Sequence, residues 1–157
     1  MNRTAQTALV LIGVLLTLLT ACSRRAKVMG DDDPVMAAAI AEAQATLPQF
    51  WQVFHQRARG ESNFMLLVRI TDQGRIEHFG VTDFELRDGR TMVTISNAPK
   101  IVANVKSGDR IEIPATNITD WSYMRDGKYA GLFTLKARFK ELPAANVALI
   151  KKSMADP

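Results

Sequence analysis

Cysteine occurs once in these 157 residues and histidine only twice. A lone thiol closes no intramolecular disulfide, so the fold must hold by packing alone. His55, His78 and that one cysteine stand at no ligand spacing, and a zinc set would need several carboxylates to complete it. No metal and no cofactor is therefore expected. Charge of one sign is scarce as well: 20 Lys and Arg face 16 Asp and Glu, a net of +4. With aromatics at 7 %, the chain lacks the concentrated basic face and stacking residues of a nucleic-acid binder, so nucleic acid is excluded as a partner. No serine sits in a nucleophile-elbow pattern, and no glycine-rich phosphate loop follows a strand. Long apolar runs are missing too. The best candidate, Ala8 to Leu19, falls short of the roughly 20 residues of a spanning helix and is flanked or diluted by Thr4, Gln6, Thr7, Thr17 and Thr20.

That short run is nevertheless informative. Arg3 and the free amino terminus give it a positive leading region, and its length is that of a secretory signal core. It ends in Leu19, Thr20, Ala21 and Cys22, an order that resembles the lipobox of bacterial lipoprotein precursors, where a peptidase cuts before a cysteine that becomes lipidated. The resemblance implies a signal peptide over 1–21, a lipidated tether over 22–30 and a single domain over 31–157. Each buried acyl methylene contributes about 0.8 kcal/mol, and more than one chain makes attachment stable. Arg24, Arg25 and Lys27 lie close behind the cut and resist translocation, which favours the competing outcome of an uncleaved anchor. Ser23 stands where inner-membrane lipoproteins of enteric bacteria carry aspartate, so the resemblance points to the inner leaflet of the outer membrane, facing the periplasm. Ser23 to Gly30 spans at most roughly 30 Å. Loss of residues 1–21 removes Arg3 as the sole charge and leaves a net of +3 on a chain long enough for one core.

Asp31, Asp32 and Asp33 before Pro34 read as a helix start, with Asp33 as N-cap and Met36, Ile40, Ala43 and Leu47 as its apolar stripe. Pro48 is expected to interrupt this helix ahead of the cluster Phe50, Trp51, Val53 and Phe54. From Phe64 the period becomes two. Strands are expected over Phe64 to Ile70, over Arg75 to Leu86 with a bulge near Thr82, over Thr91 to Ser96, around Ile111 and Ile113, and over Ile118 to Arg125. Gln73-Gly74, Asp88-Gly89 and Asp126-Gly127 mark the turns. Tyr129, Gly131, Phe133, Leu135, Ala137 and Phe139 alternate as a last strand, and Pro143 opens a helix bearing Val147, Ile150 and Met154. The expected fold is α+β: a strongly curved antiparallel meander of five to six strands in one sheet, with an N-terminal helix and a short C-terminal helix packed on it.

Glu77-His78-Phe79, Asn97-Ala98-Pro99, Val105 to Asp109, Ile118 to Tyr123 and Gly131 to Thr134 stand in an order that resembles the YegJ-like family of bacterial proteins, a domain of unknown function. The likeness runs over roughly 33–140 and departs at Gly80, where a tryptophan would be expected. It brings no established activity with it.

Among polar residues, Glu77 and His78 are the nearest approach to a base and its carboxylate. Strand alternation sends neighbours to opposite faces, so His78 reads as structural, hydrogen-bonded to an adjacent strand. Asp120 beside Trp121 is expected to accept backbone or indole hydrogen bonds. Trp121, with Tyr123 close by, anchors a core or a contact groove, and Trp121 should share its core with Phe133 across adjacent strands. Lys128, Lys136, Arg138 and Lys140 alternate on the outer face of the last strand, as a solvated face or a stripe toward anionic lipid or glycan. These features favour a non-enzymatic periplasmic module. Its partners are the membrane, through a lipid on Cys22, and an envelope protein or anionic envelope polymer, with Asp120, Trp121, Tyr123, His78, Lys136 and Arg138 as contact candidates. The competing classes are a hydrolase using His78 with Asp120 or Glu77, and an inhibitor or immunity protein against an envelope-attacking toxin.

Overall fold

The computed structural model describes residues 30–155, so Cys22, the signal region and the expected tether up to residue 29 lie outside the described residues. Helix α1 (Pro34–Gln56) starts as its sequence dictates: Asp33 accepts the Val35 amide at 2.9 Å and Pro34 opens the first turn. Pro48 does not break it. The proline lies on the solvent side, while Leu47, Phe50 and Trp51 are buried around it. Burial of each of those side chains contributes about 1.5 to 3 kcal/mol, which together outweighs the roughly 3 kcal/mol cost of an interior proline.

Two antiparallel sheets follow rather than one. The larger contains β1 (Glu61–Asp72), β2 (Arg75–Val81), β6 (Ile118–Arg125) and β7 (Lys128–Gly131) in the order β2-β1-β6-β7. The smaller contains β3 (Phe84–Arg87), β4 (Arg90–Thr94) and β5 (Arg110–Ile113) in sequence order. The expected strand from Arg75 to Leu86 is thus two strands in different sheets. Val81 and Phe84 are both buried in the same core at an odd spacing, which plain alternation cannot satisfy. The chain turns at Thr82 and Asp83, where Asp83 accepts the Thr94 amide and hydroxyl at 2.9 and 2.6 Å. The turn pairs Gln73-Gly74, Asp88-Gly89 and Asp126-Gly127 all adopt positive φ at both residues, as two-residue hairpins require.

One core joins the helix and both sheets. Phe50, fully buried, has the rings of Trp51, Phe54, Phe64, Phe84, Trp121 and Tyr123 with centroids 5.2 to 6.4 Å from its own. Leu66, Val68, Phe79, Val81, Val93, Ile95 and Ile113 complete it from the strands.

The alternating run from Tyr129 to Phe139 is not a strand beyond Gly131. Gly131 and Leu132 take φ of +82° and +59°, and the chain then coils into α2 (Phe133–Ala137), a 3-10 turn (Arg138–Glu141) and α3 (Ala144–Lys152). Contact with β6 causes the stop. The Leu132 amide donates to the Trp121 carbonyl at 3.0 Å, and Gly131 lies so near the Trp121 carbonyl and ring that a Cβ would sit 2.7 Å from Cε3. Lys128, Lys136, Arg138 and Lys140 therefore form no strand-face stripe. After α3, the Tyr129 amide bonds the Ser153 carbonyl at 2.7 Å and the Ala155 amide bonds the Tyr129 carbonyl at 2.8 Å, which ties the C-terminal end to β7.

Candidate functional site

Arg69 and His78 face each other across the β1–β2 ladder, on the side of the sheet opposite Val68, Ile70 and Phe79. Asp31, two residues ahead of the helix cap, reaches over that side. Its Oδ2 lies 3.4 Å from Arg69 Nη1 and 3.2 Å from His78 Nε2, while Arg69 Nη2 also donates to the Thr116 carbonyl at 3.4 Å. His78 thus finds its partner before α1 and not on the neighbouring strand, contrary to expectation, because the residue opposite it is a cation. Two hollows meet at the Asp31–His78 pair. One, of about 190 Å³, is walled by Met36, Ile40 and Leu67 and carries Thr119, Thr134 and Arg138. The other, of about 540 Å³, is bounded by Gly30, Asp32, Arg69 and Ile76. The side chains of His78, Arg69 and Arg138 keep 29 %, 29 % and 39 % exposure, so their polar ends remain in reach of a ligand.

Asp120 is buried and bonds to Thr134, which lines the smaller hollow. Its Oδ1 accepts the amides of Trp121 and Phe133 at 2.8 and 3.1 Å; its Oδ2 accepts the amide and hydroxyl of Thr134 at 2.8 and 2.6 Å. The carboxyl does across the fold what an N-cap does locally, holding the first amides of α2. Burial pushes its pKa above the ordinary value, and the bonds from Thr134, Trp121 and Phe133 pull it back only in part.

Glu77 points to the other face and is equally engaged, accepting the amides of Lys100, Ile101 and Val102 at 2.8 to 3.1 Å. Desolvation raises its pKa, but those three amides and the Lys100 charge together lower it by more, so the net direction is down from its ordinary value. Glu77 therefore cannot orient His78. Nor are His78 and Asp120 bonded to each other, since each has the partners just described.

The other residues singled out in the sequence scatter. Trp121 is buried and donates its indole N–H to the Ala43 carbonyl at 2.9 Å. Tyr123 is buried and stacks on Phe64 at 5.4 Å. Phe133 meets Trp121 edge-on at 5.2 Å, as expected of a shared core, though from a helix and not a strand. Lys136 is exposed, with its ammonium 5.2 Å from the Phe133 ring. Arg138 reaches the cleft and pairs with Glu141 at 3.2 Å. Asp31, Arg69 and Thr134 complete the site and were not singled out beforehand. Asp31 is hidden in an acidic run that reads as helix capping, and no local spacing ties it to residues 69 or 78. Among the described residues, no three His, Cys, Asp or Glu side chains gather at metal-binding distances, and no helix is long and apolar enough to cross a membrane.

Residues 33–154 match the family described as uncharacterized protein conserved in bacteria (DUF2314). The chain is 36 % identical over 106 residues to the uncharacterized protein YegJ of Escherichia coli (strain K12), an alignment that covers 68 % of each chain. No solved structure matches.

Proposed function

This chain belongs to the DUF2314 family conserved in bacteria, and from that premise we propose a non-enzymatic binding module of the cell envelope. A lipid on Cys22 holds it at the periplasmic side of the outer membrane, and the cleft at Asp31 and His78 takes an anionic group of an envelope protein or polymer. One observation carries the binding role: the carboxylates that His78 would need as partners, Glu77, Asp120 and Asp31, are each committed to other groups of the fold. Glu77 holds the amides of residues 100–102, Asp120 holds α2, and Asp31 is shared between Arg69 and His78. Hydrolysis needs a base and an orienting group that converge on a free nucleophile. The Thr134 hydroxyl, which lines the cleft, already donates to Asp120. What stays open at the rim are donor groups, the guanidiniums of Arg69 and Arg138 and the His78 imidazole, set among the carboxylates of Asp31 and Asp32. Such a rim suits an acidic side chain or an anionic glycan.

A photo-crosslinking residue in place of Leu135, in the cleft wall, tests this in living cells. The expected result is a discrete adduct with an envelope component that disappears when Arg138→Glu is added. A folded His78→Gln protein that has lost a measurable peptidase or glycan-hydrolase activity of the parent would replace the binding reading by the hydrolase.

A further inference from the structure

We propose that α3 and the turn before it form a second membrane contact, a shallow docking face for anionic phospholipid. The inference rests in part on the tethered reading above, and its own evidence lies at the other end of the chain. From Lys128 to Ala155 there are six cations and one acid, Glu141, which Arg138 already neutralises at 3.2 Å. Lys140, Lys151 and Lys152 are exposed beside or on α3. The helix has nine residues and none of them is buried. Val147 and Ile150 turn inward and are half-buried, which leaves Ala145, Ala148, Leu149 and Lys152 on the outer face at helical spacing. Leu149 is 66 % exposed, above Val35 at 50 %, Ile101 at 47 % and Ile76 at 42 %.

Leu149 is thus a single apolar knob among alanines, with Lys140, Lys151 and Lys152 around it, a surface suited to the headgroup boundary of an anionic membrane. The charge complements lipid phosphate, and Leu149 with its alanine neighbours supplies a small wedge for the acyl boundary. Shape favours lipid over protein. Leu149 protrudes from a face of alanines, which offers a partner protein no pocket to fill, whereas a fluid bilayer needs none. Between this helix and the preceding turn runs a groove of about 370 Å³ lined by Phe139, Leu142, Val147 and Lys151, wide enough to shelter part of a headgroup.

The test uses the full chain with Cys22→Ser, so that Leu149→Cys provides the only site for an environment-sensitive fluorophore. The labelled protein is mixed with vesicles of phosphatidylcholine alone or of phosphatidylcholine and phosphatidylglycerol in equal parts. Flotation reports attachment by any segment, and the fluorophore reports whether α3 is in contact. The expected result is a blue-shifted, quencher-protected label only on the anionic vesicles, with apparent affinity reduced about tenfold or more when Lys151→Glu and Lys152→Glu are combined. A label placed instead by Arg87→Cys, on β3 with its side chain 75 % exposed, stays wet. A wet label at 149 on anionic vesicles overturns the proposal, whether or not the chain floats. Equal shifts at 87 and 149 overturn it as well, and a label that ignores both vesicles but responds to poly-glutamate assigns the face to an acidic protein. Cys22→Ser removes the proposed lipid from the protein tested, so the result at α3 stands or falls without the tether.

Discussion

Gly127 and Gly131 share nearly the same backbone, with φ of +80° and +82°, and differ in what surrounds them. A Cβ at Gly127 meets nothing within 4 Å, whereas one at Gly131 would overlap the Trp121 carbonyl and lie 2.7 and 2.9 Å from the Trp121 ring. Alanine at either position carries the left-handed strain of about 1 kcal/mol. At Gly131 a clash adds to it, and the obstacle cannot step aside. Trp121 is pinned by its indole bond to Ala43 and wedged between Phe50 and Phe133 at 5.4 and 5.2 Å. Overpacking of this kind costs about 1 to 3 kcal/mol, and displacement of the Leu132–Trp121 backbone bond costs about 1 more. Gly131→Ala should therefore lose about 3 to 5 kcal/mol and Gly127→Ala about 1 kcal/mol. At roughly 4 °C per kcal/mol for a domain of this size, the two melting points should differ by about 8 to 16 °C. Urea titration of both variants followed by tryptophan fluorescence reads the difference directly. Equal losses would refute the argument, because they would mean that the chain reversal after β7 does not depend on contact with Trp121.

Phe133→Ala should cost about 2 kcal/mol in denaturant unfolding, below the roughly 3 to 5 kcal/mol of a fully buried phenylalanine, because the ring is only partly enclosed. Cys22→Ala should leave unfolding unchanged while moving the protein from the membrane to the soluble fraction or stalling its precursor; a variant that still fractionates with the outer membrane at unchanged mobility would contradict lipidation. Two isosteric substitutions should respond to pH with opposite signs. Glu77 has a lowered pKa, so the stability it confers is present above its ordinary value of 4.5 and is lost on acidification; the gap between wild type and Glu77→Gln should narrow as pH falls. Asp120 has a raised pKa, so its contribution is full below its ordinary 3.8 and declines as pH rises; the gap to Asp120→Asn should narrow in that direction.

Local chemistry made much of the fold readable. Asp33 and Pro34 announce α1, and three turn pairs ending in glycine announce the hairpins, because each feature depends on its own few residues. Three readings failed where distant contacts outweighed local preference. Pro48 is tolerated because the core holds the helix on either side of it. Val81 and Phe84 look like one bulged strand until two sheets share a core. Phe133 to Phe139 alternates in sequence, yet Asp120 captures the amides at 133 and 134 and winds the chain into a helix. The cleft was least readable, since Asp31, Arg69, His78 and Arg138 meet only after the sheet has formed and α1 and α2 have packed against it.

The position of Asp31 has a mechanical consequence. Any pull on the chain ahead of Gly30 reaches this residue before it reaches the helix. There the load divides, through one carboxylate, between Arg69 on β1 and His78 on β2. Those two strands are joined by seven paired positions, so force entering at the clasp is shared between the ladder and the first turn of α1. A chain pulled from this end would part these two side-chain contacts first, and they can close again when the tension drops.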